Sequence, residues 1–99
     1  MAEILLRPSA RQDLEDIWNY SDYQWGEKRA DAYIQELNAG FLRLVETPET
    51  GRDCSDIRPG YRKYQVARHV IFYRITTDSD IEIVRVLHER MDVERHLPE

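Results

Sequence analysis

Ile57 to Asp92 reads IRPGYRKYQVARHVIFYRITTDSDIEIVRVLHERMD, and this stretch limits the possible folds more than any other. Residues of a strand point alternately to the two faces of its sheet. The spacing predicts three strands, Tyr61 to Val66, Val70 to Ile75 and Ile81 to His88, joined by turns at Ala67–His69 and Thr77–Asp80. On the second strand Ile71, Tyr73 and Ile75 share one face while Val70, Phe72 and Arg74 share the other. On the third, Ile81, Ile83, Arg85 and Leu87 oppose Glu82, Val84, Val86 and His88. Both faces are therefore largely apolar. A two-layer domain covers only one of them with its helices, so the other needs a second cover. The C-terminal segment Val93 to Leu97 is short for that task, and exposed apolar sheet usually marks an interaction site. A partner is the expected cover.

The first half of the chain supplies the helices. Glu3 to Arg7 is short and apolar and reads as a strand ended by Pro8. Ser9 with Gln12 three residues on has the pattern of a capping box. Leu14, Ile17, Trp18, Ser21 and Trp25 then follow one helical face, with Asp13, Glu15, Asp16 and Asp22 mostly off it. Gly26 suits a left-handed helix stop. Ala30, Tyr33, Ile34, Leu37, Phe41, Leu44 and Val45 repeat the spacing until Thr47-Pro48. So short a connection makes the two helices an antiparallel hairpin. Trp18 and Trp25, at helical spacing among Leu and Ile, are assigned to the core. Pro48 to Gly60 is loop by composition. The expected fold is α+β: an N-terminal strand, an α-hairpin packed on an antiparallel four-stranded sheet (β-α-α-β-β-β), and a short C-terminal helix or tail. Residues 1–99 are expected to form a single domain.

Charge and chemistry narrow the function. Residues 1–50 hold ten acids against five bases, whereas residues 51–99 hold nine of each. The net charge of −5 works against avid nonspecific binding to nucleic acid, which depends on neutralising phosphates. Yet Arg58, Arg62, Lys63, Arg68 and Arg74 all precede the first acid of the meander, Asp78. The only cysteine, Cys54, excludes an internal disulfide and has no activating neighbour in sequence. No signal peptide, membrane span, phosphate loop, zinc-ligand spacing or nucleophile elbow is present. No cofactor or metal is expected, and a cytoplasmic setting fits. Arg68, Arg85 and His88 could in principle supply a phosphate clamp and a general acid or base for RNA cleavage. The competing reading is a docking surface built from Arg62, Arg68, Phe72, Arg74, Arg85, His88, Arg90 and Met91, and docking is the favoured one.

The ordered combination of S-A-x-x-D-L-x-x-I-W-x-Y (Ser9 to Tyr20), G-Y-R-K-Y (Gly60 to Tyr64), Phe72-Tyr73-Arg74, Val86-Leu87-His88 and Arg90-Met91-Asp92 resembles the ParE branch of the ParE/RelE toxins of bacterial type II toxin–antitoxin modules. The resemblance covers nearly the whole chain. It implies that the first strand lies beside the last. It also implies a ParD-like antitoxin with a ribbon-helix-helix DNA-binding domain, so that operator DNA is met only through the antitoxin. ParE-type toxins act on DNA gyrase and block replication, whereas RelE-type toxins cut mRNA on the ribosome and are typically basic, often with catalytic lysines. This chain is acidic and has only Lys28 and Lys63. Arg85 and His88 fall near a functional cluster of some RNA-cutting relatives, without a recognisable companion base. The resemblance thus favours a non-enzymatic gyrase inhibitor, with an mRNA endonuclease or a non-toxic interaction module as alternatives.

Overall fold

In the computed structural model, which describes residues 2–98, the elements run β1 (Ile4–Leu6), α1 (Pro8–Trp25), α2 (Glu27–Glu46), β2 (Arg52–Asp53), β3 (Arg62–Val66), β4 (His69–Ile75), β5 (Ile81–His88) and α3 (Val93–His96). A single 3-10 turn, Pro48–Thr50, sits between α2 and β2. The sheet has five strands in the order β1-β5-β4-β3-β2. The expected first-beside-last arrangement is present, but β1 runs parallel to β5, so the sheet is mixed. The fifth strand is β2, two residues in a segment read as loop, paired antiparallel to β3.

Pro8 opens α1 instead of merely ending β1. It occupies the first turn, where its missing N–H is no loss, and Arg7 is the N-cap without any side-chain cap. The predicted Ser9 cap is therefore absent, and its hydroxyl donates to Val84 O at 3.1 Å. Gly26 alone links the two helices, at φ 95°, a backbone state that side chains disfavour.

The helices pack on one face of the sheet, where Ala10, Ile17, Leu37, Phe41, Leu44, Ile71, Tyr73, Ile81, Ile83 and Val86 form the main core. The opposite face buries Phe72, Val84 and Leu87 beneath Cys54, Tyr61 and Leu97, with Ile57, Val70 and Val93 packed alongside. The chain covers its own second face. This corrects the expectation of a partner there: the tail acts together with the loop before β3, and the two suffice.

A bulge explains why the faces of β5 were misread. Phe72 pairs with Arg85 but Tyr73 pairs with Ile83, leaving Val84 as an extra residue. One inserted residue reverses the alternation beyond it. Val86 thereby joins Ile81 and Ile83 in the main core, and Leu87 joins Val84 in the other. Beyond Ile83, β5 has no strand neighbour on its β1 side because β1 is only three residues long. Side chains of α1 take over that edge: the Ser9 hydroxyl donates to Val84 O, and Asp13 accepts the N–H of Val86 at 2.9 Å. Buried backbone groups rarely go unpaired, and here two polar residues of a helix complete a sheet edge.

Candidate functional site

Asp13 was read as lying off the buried stripe, yet it is only 8% exposed. Its carboxylate meets Arg85 in a two-point pair, Nε to Oδ2 and Nη2 to Oδ1, each 2.7 Å. Arg85 also donates to the carbonyl of His96 at 3.0 Å. One guanidinium thus ties α1, β5 and the C-terminal tail together. The Asp13 carboxylate raises the Arg85 pKa above its ordinary value. Its Nε, Nη1 and Nη2 each make a bond inside the fold, so Arg85 serves as an internal tie with 21% of its side chain exposed.

The remaining expected residues divide by position. Phe72 is 1% exposed in the second core, so it offers nothing to a partner. Arg62 donates to Gly51 O at 2.8 Å, and Arg74 pairs with Glu82 at 2.8 Å. Met91 is 38% exposed. Arg68, His88 and Arg90 do come together, around a groove of about 650 Å³ between the α-hairpin and one end of the sheet. Helix α1 contributes Ile17, Tyr20 and Trp25 to its lining, and α2 contributes Arg29 and Tyr33. From the sheet end come Arg68, His69, His88 and Arg90, with Asp16 as the single carboxylate of the lining.

The groove is partly pre-ordered by hydrogen bonds. Tyr33 accepts from the N–H of Arg68 at 3.3 Å, and its hydroxyl lies 2.6 Å from Nδ1 of His69. The N–H of Arg90 donates to Nδ1 of His88 at 3.1 Å. The two imidazoles meet edge to face with centroids 5.3 Å apart. Burial, followed by the neighbouring His88, pushes the His69 pKa down to about 4. Burial pushes the Tyr33 phenol up. Arg68 pairs with Glu89 at 3.3 Å, but its side chain is 71% exposed, so the pair adds little.

Trp25 is the main correction on the aromatic side. It was assigned to the core, but it is 58% exposed at the groove mouth, beside Tyr20 at 61%. Arg29 stacks over its ring at 5.6 Å. Trp18 is half-buried, with its indole N–H on Asp31 at 2.8 Å. The i+7 spacing from Trp18 placed Trp25 on the apolar stripe, but α1 ends there and leaves the ring nothing to pack under. Tyr20, Tyr33, Arg29 and His69 were missed as site residues. Only Tyr33, on the stripe of α2 but polar at its tip, carried a signal that could have drawn attention.

His69 makes stability depend on pH. Its ring is neutral in the fold down to about pH 4, whereas the free imidazole takes its proton near 6.5. Between those values the unfolded chain binds more protons, so stability falls as pH drops through the window. Asp13 and Glu89 favour the charged ring, while burial and His88 oppose it. After discounting for the half-exposed ring, a loss of about 1–2 kcal/mol is expected between pH 7 and pH 4. Urea midpoints across that range check it, and His69→Gln is expected to remove most of the slope.

A fold of this class, an α-hairpin on a sheet whose first strand lies beside its last, is shared with a chain of the solved structure titled "Chromosomal ParDE TA system from P. aeruginosa". The TM-score is 0.77 at 19% identity, covering 89% of this chain and 96% of that one. The family model described as "ParE toxin of type II toxin-antitoxin system, parDE" matches residues 4–93. Toxin ParE1 of Mycobacterium tuberculosis is 46% identical over 93 residues, 94% of this chain and 95% of that protein. Toxin ParE1 of Caulobacter vibrioides is 41% identical, covering 89% and 90%. Toxin ParE of Escherichia coli is 30% identical, covering 94% and 90%. The chain belongs to the ParE toxin family of type II toxin–antitoxin systems.

Proposed function

We propose that this ParE-family toxin, a single domain over residues 1–99, acts in the cytoplasm by binding DNA gyrase and blocking replication, without catalysis of its own. A ParD-like antitoxin with a ribbon-helix-helix domain neutralises it and carries the pair to operator DNA. The observation that carries the reading is the family membership over residues 4–93. Two features of the molecule support it. Arg85, one of three residues needed for the nuclease alternative, is committed to Asp13 and His96 O. Tyr20 and Trp25, 61% and 58% exposed, gather aromatic surface at the groove end of α1, and clustered aromatic exposure is typical of docking sites. Among the described residues no helix is long and apolar enough to cross a membrane.

Regulated expression in a bacterial host tests the reading. Growth arrest with induction of the DNA damage response, relieved by the co-expressed antitoxin, is expected. Translation arrest with intact replication would point to the mRNA endonuclease, and unaffected growth to a non-toxic module. Trp25→Ala is expected to weaken the protein partner that docks on the exposed aromatic end of α1 by about 2 kcal/mol, roughly thirtyfold in affinity. Because the ring is exposed, the thermal midpoint should hardly move, and isothermal titration with each purified partner checks both statements.

A further inference from the structure

A hydrogen bond of the groove fixes the tautomer of one of its two histidines. Nδ1 of His88 accepts the N–H of Arg90, so its ring proton sits on Nε2. Tyr33 already accepts from Arg68 N–H, and its own proton has Nδ1 of His69 as the acceptor in reach. Neither ring's Nε2 has a hydrogen-bond partner among the described residues. The His88 imidazole N–H and three guanidinium groups, Arg29, Arg68 and Arg90, thus line one groove with Asp16 as its one lining carboxylate among the described residues, and Glu89 pairs with Arg68 at its rim. In a chain of net charge −5 this is a local anion receptor. Its other wall is aromatic, with Tyr20 and Trp25 edge to face at 6.3 Å and both largely exposed.

We propose that this groove binds a free mononucleotide. The base stacks on the Trp25 and Tyr20 end, and the phosphate lies among Arg90, Arg68 and the His88 N–H. Asp16 accepts from Gln12 through Oδ1 and keeps Oδ2 as an acceptor that ribose hydroxyls can use and a simple anion cannot. Aromatic stacking joined to guanidinium contacts is the general chemistry of base-plus-phosphate recognition. The volume of about 650 Å³ lies within the range of small-ligand sites. A free nucleotide is favoured over a strand because the net charge of −5 repels an extended polyanion. This site does not depend on the gyrase reading, since a toxin acting on any target could carry it.

The test is isothermal titration of the purified full-length toxin, free of antitoxin, with AMP, GMP, CMP and UMP. Saturable one-to-one binding by at least one of them is expected, with Kd below about 1 mM. Arg90→Ala and Trp25→Ala should each weaken it at least about fivefold, whereas the exposed Arg95→Ala in the tail should leave it unchanged. Circular dichroism confirms that the variants fold. Absence of saturable binding to all four overturns the proposal, as does equal affinity for inorganic phosphate. Tighter binding of a single-stranded ten-nucleotide DNA, site for site, or binding of an acidic aromatic peptide in place of any nucleotide, also overturns it. The gyrase reading stands or falls separately from every one of these outcomes.

Discussion

Asp13→Ala is expected to destabilise the protein by about 3–5 kcal/mol, because removing one member of a buried ion pair leaves the other charge without compensation. The loss extends beyond Arg85. The same carboxylate accepts the N–H of Val86 at the edge that β1 is too short to cover. Arg85→Ala should fall in the same range, since it strands Asp13 and also frees the carbonyl of His96. Set against a typical domain stability of about 5–15 kcal/mol, either change threatens folding at body temperature. The pair Asp13→Leu with Arg85→Met should recover a large part of the loss, because desolvating the two charges opposed their attraction. Denaturant midpoints of Asp13→Leu, Arg85→Met and their double form the cycle that checks this. By contrast, Arg68→Ala breaks an exposed pair with Glu89, and a change within about 0.5 kcal/mol is expected. A toxin silenced by Arg85→Ala would on this account have lost its fold, not a catalytic group.

Tyr73→Ala should be comparably severe, about 3–5 kcal/mol. The ring is fully buried at the centre of β4. Its hydroxyl donates to Pro48 O at 2.6 Å and accepts from Gly51 N–H at 2.9 Å. Burial holds the phenol above its ordinary pKa, so it remains a donor across the physiological range. These two bonds clamp the segment between α2 and β2 onto the sheet. Tyr73→Phe keeps the packing and loses only the clamp, and about 1–3 kcal/mol is expected from two unpaired backbone groups. Gly51 is the counterpart: a Cβ there would overlap Tyr73 Oη and lie 2.6 Å from Cε1. Gly51→Ala therefore has to displace a ring held by two hydrogen bonds, and about 1–3 kcal/mol is expected. Thermal unfolding of Tyr73→Ala, Tyr73→Phe and Gly51→Ala should rank the alanine of Tyr73 as the most damaging.

Periodicity carried the architecture but not the places where periodicity itself breaks. The stripe of α2 and the alternation of β4 read correctly because each is a run of one regular geometry, whereas on α1 Trp25 and Asp13 changed places between surface and interior. Beyond Val84 the reading of β5 reversed, since a bulge is set by pairing with Phe72 and Tyr73 and leaves no mark in β5 alone. Asp13 resembled any acid near a helix start; its burial depends on Arg85, 72 residues away. Phe72 was assigned to a partner because the loop 54–61 could not be foreseen folding over it. The groove was half legible. Arg68, His88 and Arg90 came from one basic meander, whereas Arg29, Tyr33 and Trp25 join them only through the closure of the α-hairpin onto the sheet. Family resemblance supplied what local patterns could not, the identity of the whole arrangement.

Whether the toxin stops gyrase without chemistry is tested most directly by a supercoiling assay with purified gyrase, relaxed plasmid, ATP and the toxin. Dose-dependent loss of supercoiling with accumulation of cleaved DNA complexes, reversed by the antitoxin, is the predicted result. Gyrase that remains fully active at saturating toxin, while the same preparation cuts mRNA on translating ribosomes, would contradict the gyrase reading.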